Sequence, residues 1–353
     1  HSPIAEKHVQ LRPAHFDTAV APARSLERQI VNRRAILLLG SLGILLVLLP
    51  FVASDYILSV ATLFLFFAYA GQAWNLLMGF AGQLSLGHSA YLGLGAYTAA
   101  ALYVHFGIAP GVGMFFSITL CAALGAIIGG LAFRYRVSGV HFTLLTIAVA
   151  EFMRIGFDHF TWLGGSGGLF LKVSQRGQND VFNLRGTPAM FYYVILALAA
   201  AALALSAWLL RRRPGYYWQA IRENEEAARA LGIDTFRWKI LAVIISASMT
   251  SLGGVFLAFY YNNLFPEQVF HISRSIEIIL GPIIGGMGTV FGPVLGAALL
   301  ALLADGATEI LAATGWEIPG LKQLIYGIAL FAVVTLLPHG IWPALARKLR
   351  ISK

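Results

Sequence analysis

Apolar runs long enough to cross a bilayer follow one another at 35–53, 56–78, 80–103, 109–133, 137–157, 189–210 and 239–261. Each approaches the roughly 20 residues a helix needs to span the hydrocarbon. No water is available there to bond the backbone, so segments of this length must be helical. The chain therefore reads as an all-α polytopic membrane protein. Composition agrees: 58% of residues are hydrophobic and only 12% charged, against about a quarter charged in soluble domains. The formal net charge is +9. Its basic residues flank the apolar runs with no aromatic-basic groove pattern, which fits membrane topology and excludes nucleic acid as a partner. A single cysteine, Cys121, lies within an apolar run, so no internal disulfide forms and no cysteine metal cluster is encoded.

Charge sets the expected orientation. Residues 1–34 form a polar cytoplasmic segment whose Arg24, Arg28, Arg33 and Arg34 hold the N-terminus inside. Five crossings then place 158–188 outside as a loop, with Arg134 and Arg136 in a cytoplasmic turn. Run 189–210 returns and delivers Arg211, Arg212 and Arg213 to the cytoplasm. Run 239–261 leads out to a short loop at 262–275. The next stretch, 276–304, places Asp305, Glu309 and Glu317 inside if it crosses once, and sends the basic tail 344–353 outside after the last run, 320–338. Both outcomes oppose the charge rule. A bend near Gly285 to Gly288 corrects both, so two short helices meeting at a glycine-rich break are expected. The transmembrane domain then spans 35–343 with about ten transmembrane or half-membrane helices, both termini cytoplasmic. Five segments lie on each side of the external loop, as in two inverted repeats, and glycine-interrupted segments in both halves are a transporter pattern.

The one long charged interruption in the second half is the cytoplasmic loop 211–238. Helical periodicity runs from Trp218 to Leu231, with Tyr217, Ile221, Ala228 and Leu231 on one face. Arg222 and Glu226, like Glu225 and Arg229, have pairing spacing. Pro214 and Gly215 break the preceding helix, Gly232 suits a C-terminal cap and Asp234 an N-cap. A capped, charged helix between two spans has the character of a docking element.

Elsewhere polar chemistry is sparse. Gln83, Ser85 and His88 lie among glycines at the start of the third run, and Thr143 and Thr146 in the fifth; with Gly285, Gly286 and Gly288 they are the candidate lining of a solute path. Small residues that merely permit tight helix packing explain the glycines equally well. Glu151 and Arg154, three apart in a span, are expected to pair, since each unpaired at mid-membrane costs roughly 3 kcal/mol. Neither His88 nor His141 has a metal-ligand partner at suitable spacing. No phosphate loop, H-E-x-x-H, G-x-S-x-G or paired carboxylate constellation occurs. Catalytic and metal-binding residues are therefore assigned to none, and the chain is not read as an enzyme.

Four stretches together carry a resemblance: Asn75-Leu-Leu-Met-Gly-Phe-Ala-Gly-Gln-Leu-Ser-Leu-Gly-His88, Gly139-Val-His-Phe-Thr-Leu-Leu-Thr146 with Glu151 and Arg154, Ala220-Ile-Arg-Glu-Asn-Glu-Glu-Ala-Ala-Arg-Ala-Leu-Gly-Ile233, and Gly285-Gly-Met-Gly-Thr-Val-Phe-Gly-Pro-Val-Leu-Gly-Ala297. In this order they resemble the branched-chain amino-acid permeases of ATP-binding-cassette (ABC) importers. The resemblance implies import across a bacterial inner membrane, with a sister permease subunit, two ABC ATPase subunits that hold ATP and Mg, and an external solute-binding protein. This chain itself is then expected to bind no cofactor. It also implies that Arg222, Glu223, Glu225, Glu226, Ala227, Ala228 and Gly232 belong to a coupling helix that docks on the ATPase. Urea and amide importers share much of the pattern. A secondary transporter or a passive channel are the other classes, and neither requires a docking helix.

Overall fold

The computed structural model describes residues 33–171, 179–314 and 340–348, with isolated positions between 324 and 337. Residues 1–32, the end of the basic tail and most of the last apolar run lie outside the described residues. The all-α expectation is met. Membrane-scale helices run α1 (Arg33–Val52), α2 (Asp55–Asn75), α3 (His88–Phe106), α4 (Pro110–Arg134), α5 (Val140–His159) and α6 (Pro188–Leu210). Two short helices follow, α7 (Arg213–Glu223) and α8 (Glu225–Ala230), then α9 (Thr235–Tyr261), α10 (Pro266–Phe270), α11 (Ile272–Gly285), α12 (Gly292–Thr314) and α13 (Ile341–Lys348). Among the described residues five helices are long and apolar enough to cross a membrane: α2 with its C-terminal extension to Phe80, α4, α5, α6 and α9.

Helix ends follow local chemistry. The Ser54 hydroxyl accepts from the Ile57 N–H at α2, and Thr187 accepts from Met190 at α6, where Pro188 pre-sets the first turn. Inside α1, Pro50 has no N–H, so the Leu46 carbonyl loses its helical donor. The Tyr192 hydroxyl of α6 supplies one at 2.7 Å, and Tyr193 donates to the neighbouring Val47 carbonyl at 3.0 Å. A proline defect thus becomes a dock between two spans.

The third run does not begin at 80 as expected. Helix α2 ends in a π-helical turn over Leu76–Phe80, the backbone leaves helical form over 82–87, and α3 starts only at His88. Gly82, at φ +70°, takes a conformation that a side chain disfavours. The expected second break is present: α11 stops at Gly285, and 286–291 lead into α12. Its second helix is longer than expected, reaching Thr314 rather than 304.

Packing is reciprocal between the halves. Helix α9 packs on α3 and α4, and α2 packs on α11 and α12; α3 lies on α4 as α11 lies on α12. Among the described residues each half thus lends its second helix to the other. The two loops expected on one side of the membrane meet, since β1 (Leu169–Phe170) pairs antiparallel with β2 (Asn263–Leu264). The α3–α9 crossing is so close that a Cβ on Gly254 would overlap the Leu92 carbonyl, and one on Gly95 would lie 2.5 Å from the Ser251 carbonyl oxygen. Because those obstacles are backbone, Gly254→Ala is expected to destabilise the protein by about 1–3 kcal/mol, measurable as a lower Tm of the purified protein in detergent.

Candidate functional site

The charged loop folds as two helices rather than the single helix expected over Trp218–Leu231. Asn224 is extended between α7 and α8, and its side-chain oxygen accepts from the Ala227 N–H at 2.9 Å, capping α8. Glu225 and Glu226 occupy the first turn, where negative charge suits the helix dipole. Capping therefore wins over continued helix, and Arg222 and Glu226 fall on different elements. Instead of Glu226, Arg222 pairs with Glu223 at 3.0 Å. The expected Glu225–Arg229 pair is present at 2.9 Å. Gly232, at φ +84°, ends α8, with the Ile233 N–H returning to the Ala228 carbonyl, and Asp234 caps α9 through the Arg237 N–H.

Burial sorts the candidates. Trp218, Ile221 and Ala228 face inward, and the Trp218 indole N–H donates to the Trp238 carbonyl at 2.7 Å. Glu223, Glu226, Ala227 and Gly232 face outward beside Leu231, which is 82% exposed and does not share the inward face of Ile221 and Ala228 as its spacing led one to expect. Glu225 turns back to the root of α9. Its two oxygens lie 2.9 and 3.0 Å from the ammonium of Lys239, whose side chain is only 5% exposed. Burial pushes the Glu225 carboxyl up, but its bond and charge contact with Lys239 outweigh that and hold it below the usual carboxylate range.

Arg222 is the residue whose role sequence reasoning missed. Its Nη1 donates to the Gly79 carbonyl at the end of α2. A Cβ on Gly82 would lie 2.9 Å from its Cγ, and one on Gly288 would lie 2.5 Å from its Nη1. Directly beneath, Asn75 joins the two glycine-rich breaks. Its Nδ2 donates to the Thr289 carbonyl at 2.8 Å, and its Oδ1 accepts from the Gly288 N–H at 2.8 Å. Gly79 must lack a side chain because a Cβ there would overlap Asn75 Oδ1. Three stretches far apart in sequence thus meet in one node under the charged loop.

The candidate path residues surround this node and are all buried except Gly288, which is partly so. Most of their polar groups serve the backbone of the first break. Thr143 donates to the Leu84 carbonyl at 3.1 Å, Thr146 accepts from the Leu86 N–H at 3.2 Å, and Gln83 donates to the Ala81 carbonyl at 3.0 Å. The Ser85 hydroxyl accepts from the Gly87 N–H, and its carbonyl accepts from the Trp74 indole at 2.8 Å. His88 Nε2 lies 2.9 Å from the Ser246 hydroxyl, which is itself committed to the Ala73 carbonyl, so Nε2 carries the proton. In the second break Gly286 and Gly288 adopt φ +119° and +75°. The Glu151–Arg154 pair forms at 2.6 Å.

Asn75, Arg222 and Gly288, which make this node, lie within a family match. Residues 56–334 match the model described as "Branched-chain amino acid transport system / permease component". The chain belongs to that family. As a permease it is 30% identical over 285 residues to the high-affinity branched-chain amino acid transport system permease protein LivM of Escherichia coli K12, covering 75% of this chain and 66% of LivM. It thus spans just under two thirds of that relative's length. It is 24% identical to LivH of the same organism over 78% of this chain and 90% of LivH. A third relative, at 25% identity over 65% of each chain, is the autoinducer 2 import system permease protein LsrC of Photorhabdus laumondii. No solved structure matches significantly.

Removing Glu225 strands the Lys239 ammonium. Glu225→Ala is expected to cost on the order of 3 kcal/mol, read as earlier proteolysis of the 211–238 loop and a lower Tm. Because the folded carboxyl is depressed, the stabilisation is complete above the ordinary glutamate pKa and is lost as pH falls through the folded value. The Glu225→Ala variant should lack that acid-side loss.

Proposed function

We propose that this permease is a membrane subunit of an ATP-driven importer of branched-chain or related amino acids in the bacterial inner membrane. A sister permease, two ABC ATPase subunits holding ATP and Mg, and an external solute-binding protein complete the assembly. Both termini and the 211–238 loop are cytoplasmic. The observation that carries this reading is the two-sided α7–α8 segment. One side offers Glu223, Glu226, Ala227, Leu231 and Gly232 to solvent, while Arg222 on the other touches both glycine-rich breaks. A docking partner on the outer side moves the inner side with it. The amino-acid cargo is supported by the LivM and LivH relatives, and the match to LsrC shows that similar permeases are named for other solutes.

In the reconstituted assembly, Glu226→Arg is expected to weaken copurification of the ATPase subunits. Arg222→Gln should leave copurification intact and lower solute taken up per ATP hydrolysed several-fold, because it cuts the link to the breaks but leaves the docking face. Solute uptake by this chain in liposomes without any ATPase overturns the reading. Leucine and urea uptake measured side by side decides the cargo.

A further inference from the structure

Helix α5 carries three charged residues, Glu151 and Arg154 within the span and Asp158 next to its end. Glu151 stands eight residues before the end of the helix at His159, about 12 Å of rise. Arg154 grips it from the side: Nε lies 3.0 Å from both Glu151 oxygens and Nη2 lies 2.6 Å from Oε1. A third group closes on the same guanidinium from another element, as Nη1 donates to Glu267 Oε2 of α10 at 2.5 Å, 113 positions away. Glu267 is fixed there by its own helix. One turn on, Phe270 stacks on Tyr97 at 5.8 Å and lies 4.8 Å from Phe157, with Gly93 of α3 giving it room.

His271 completes the group. The Ser273 N–H donates to its Nδ1 at 3.2 Å, so the ring proton sits on Nε2, 3.7 Å from Glu267 Oε1. Apart from that imidazole, two carboxylates share one guanidinium, leaving a negative charge in surplus. The neighbouring Arg274 and Glu277 satisfy each other at 2.7 Å. Arg154 is not exhausted either. Of its five N–H groups, these bonds engage Nε and one on each terminal nitrogen, leaving two. Its side chain is 22% exposed and that of Glu267 is 61% exposed. Charged residues within membrane spans as a rule face protein or a water-filled cavity and pair there.

A ligand that brings one carboxylate and one ammonium meets complementary groups here and adds no net charge to the site. We propose that Arg154 and Glu267 bind the zwitterionic head of an apolar α-amino acid in transit, Arg154 taking the carboxylate and Glu267 the ammonium. Glu151 acts through Arg154, holding the guanidinium in place. The inference rests on the amino-acid import reading and adds to it a site within the permease itself.

The test uses the assembled permease and ATPase subunits in nanodiscs without the external binding protein, and equilibrium dialysis of radiolabelled leucine, leucinamide (no carboxylate) and 4-methylpentanoate (no ammonium). Wild type is expected to bind leucine at least tenfold tighter than either analogue. Arg154→Gln should lower leucine affinity to that of leucinamide without changing leucinamide binding. Glu267→Gln, a near-isosteric change on an exposed side chain, should lower it to that of 4-methylpentanoate. A merely structural ion pair would not give this matched loss between ligand group and protein group. No leucine binding by wild type, or leucine affinity within twofold of wild type in Glu267→Gln, overturns the site. Leucine uptake by the complete assembly is measured in parallel. If it proceeds unchanged in both variants the site fails and the import reading stands, whereas no amino-acid uptake by wild type sinks the import reading itself.

Discussion

Backbone that leaves helical form inside an apolar bundle must find every hydrogen-bond partner within the protein, and two such stretches govern this fold. An amide or carbonyl left open there costs several kcal/mol. The first stretch, after Phe80, is satisfied by Thr143, Thr146, Ser85 and Gln83; the second, after Gly285, by Asn75. Because Asn75 sits at the end of α2 but serves the second break, that break is not complete without the first half. The second half is thus bound to the first by its own irregular backbone, in addition to the packing of α2 and α9 across them.

That requirement explains the composition of the neighbourhood. Glycine is needed where backbone meets backbone: Gly285 against Gly292 and Gly296 against Gly281 bring α11 and α12 together with no intervening side chains. Hydroxyl residues are needed where carbonyls and amides turn inward. Small residues for packing and polar residues for a path were alternatives in the sequence, and the structure shows one region in which the polar side chains serve the backbone while the glycines allow the approach.

What was legible in the sequence is what local rules determine. Run lengths gave most of the membrane helices, and Gly232 and Asp234 marked the end of α8 and the start of α9. The helix start at Asn224, an N-cap followed by two acidic residues, was hidden because glutamate and alanine on both sides are good helix formers and their periodicity continues through it. The π-helical turn at Leu76–Phe80 has no such signal; only its tertiary surroundings select it. Arg222 had the appearance of one more surface charge, because its inward role depends on Gly79, Gly82 and Gly288 meeting beneath it. Glu267 lay beyond any spacing rule, since its partner is in another span.

The extended residue between α7 and α8 has a mechanical consequence. Each helix is fastened to the bundle by one ionic side chain, but to different places: α7 through Arg222 to the glycine-rich breaks, α8 through Glu225 to Lys239 at the root of α9. Asn224 is the one extended residue that joins them. A load on the outer face therefore splits into two arms, one pulling on the floor of the bundle and one on a helix that crosses it. Turning one helix about that residue would displace those attachments relative to each other, whereas pushing the whole loop would carry both together.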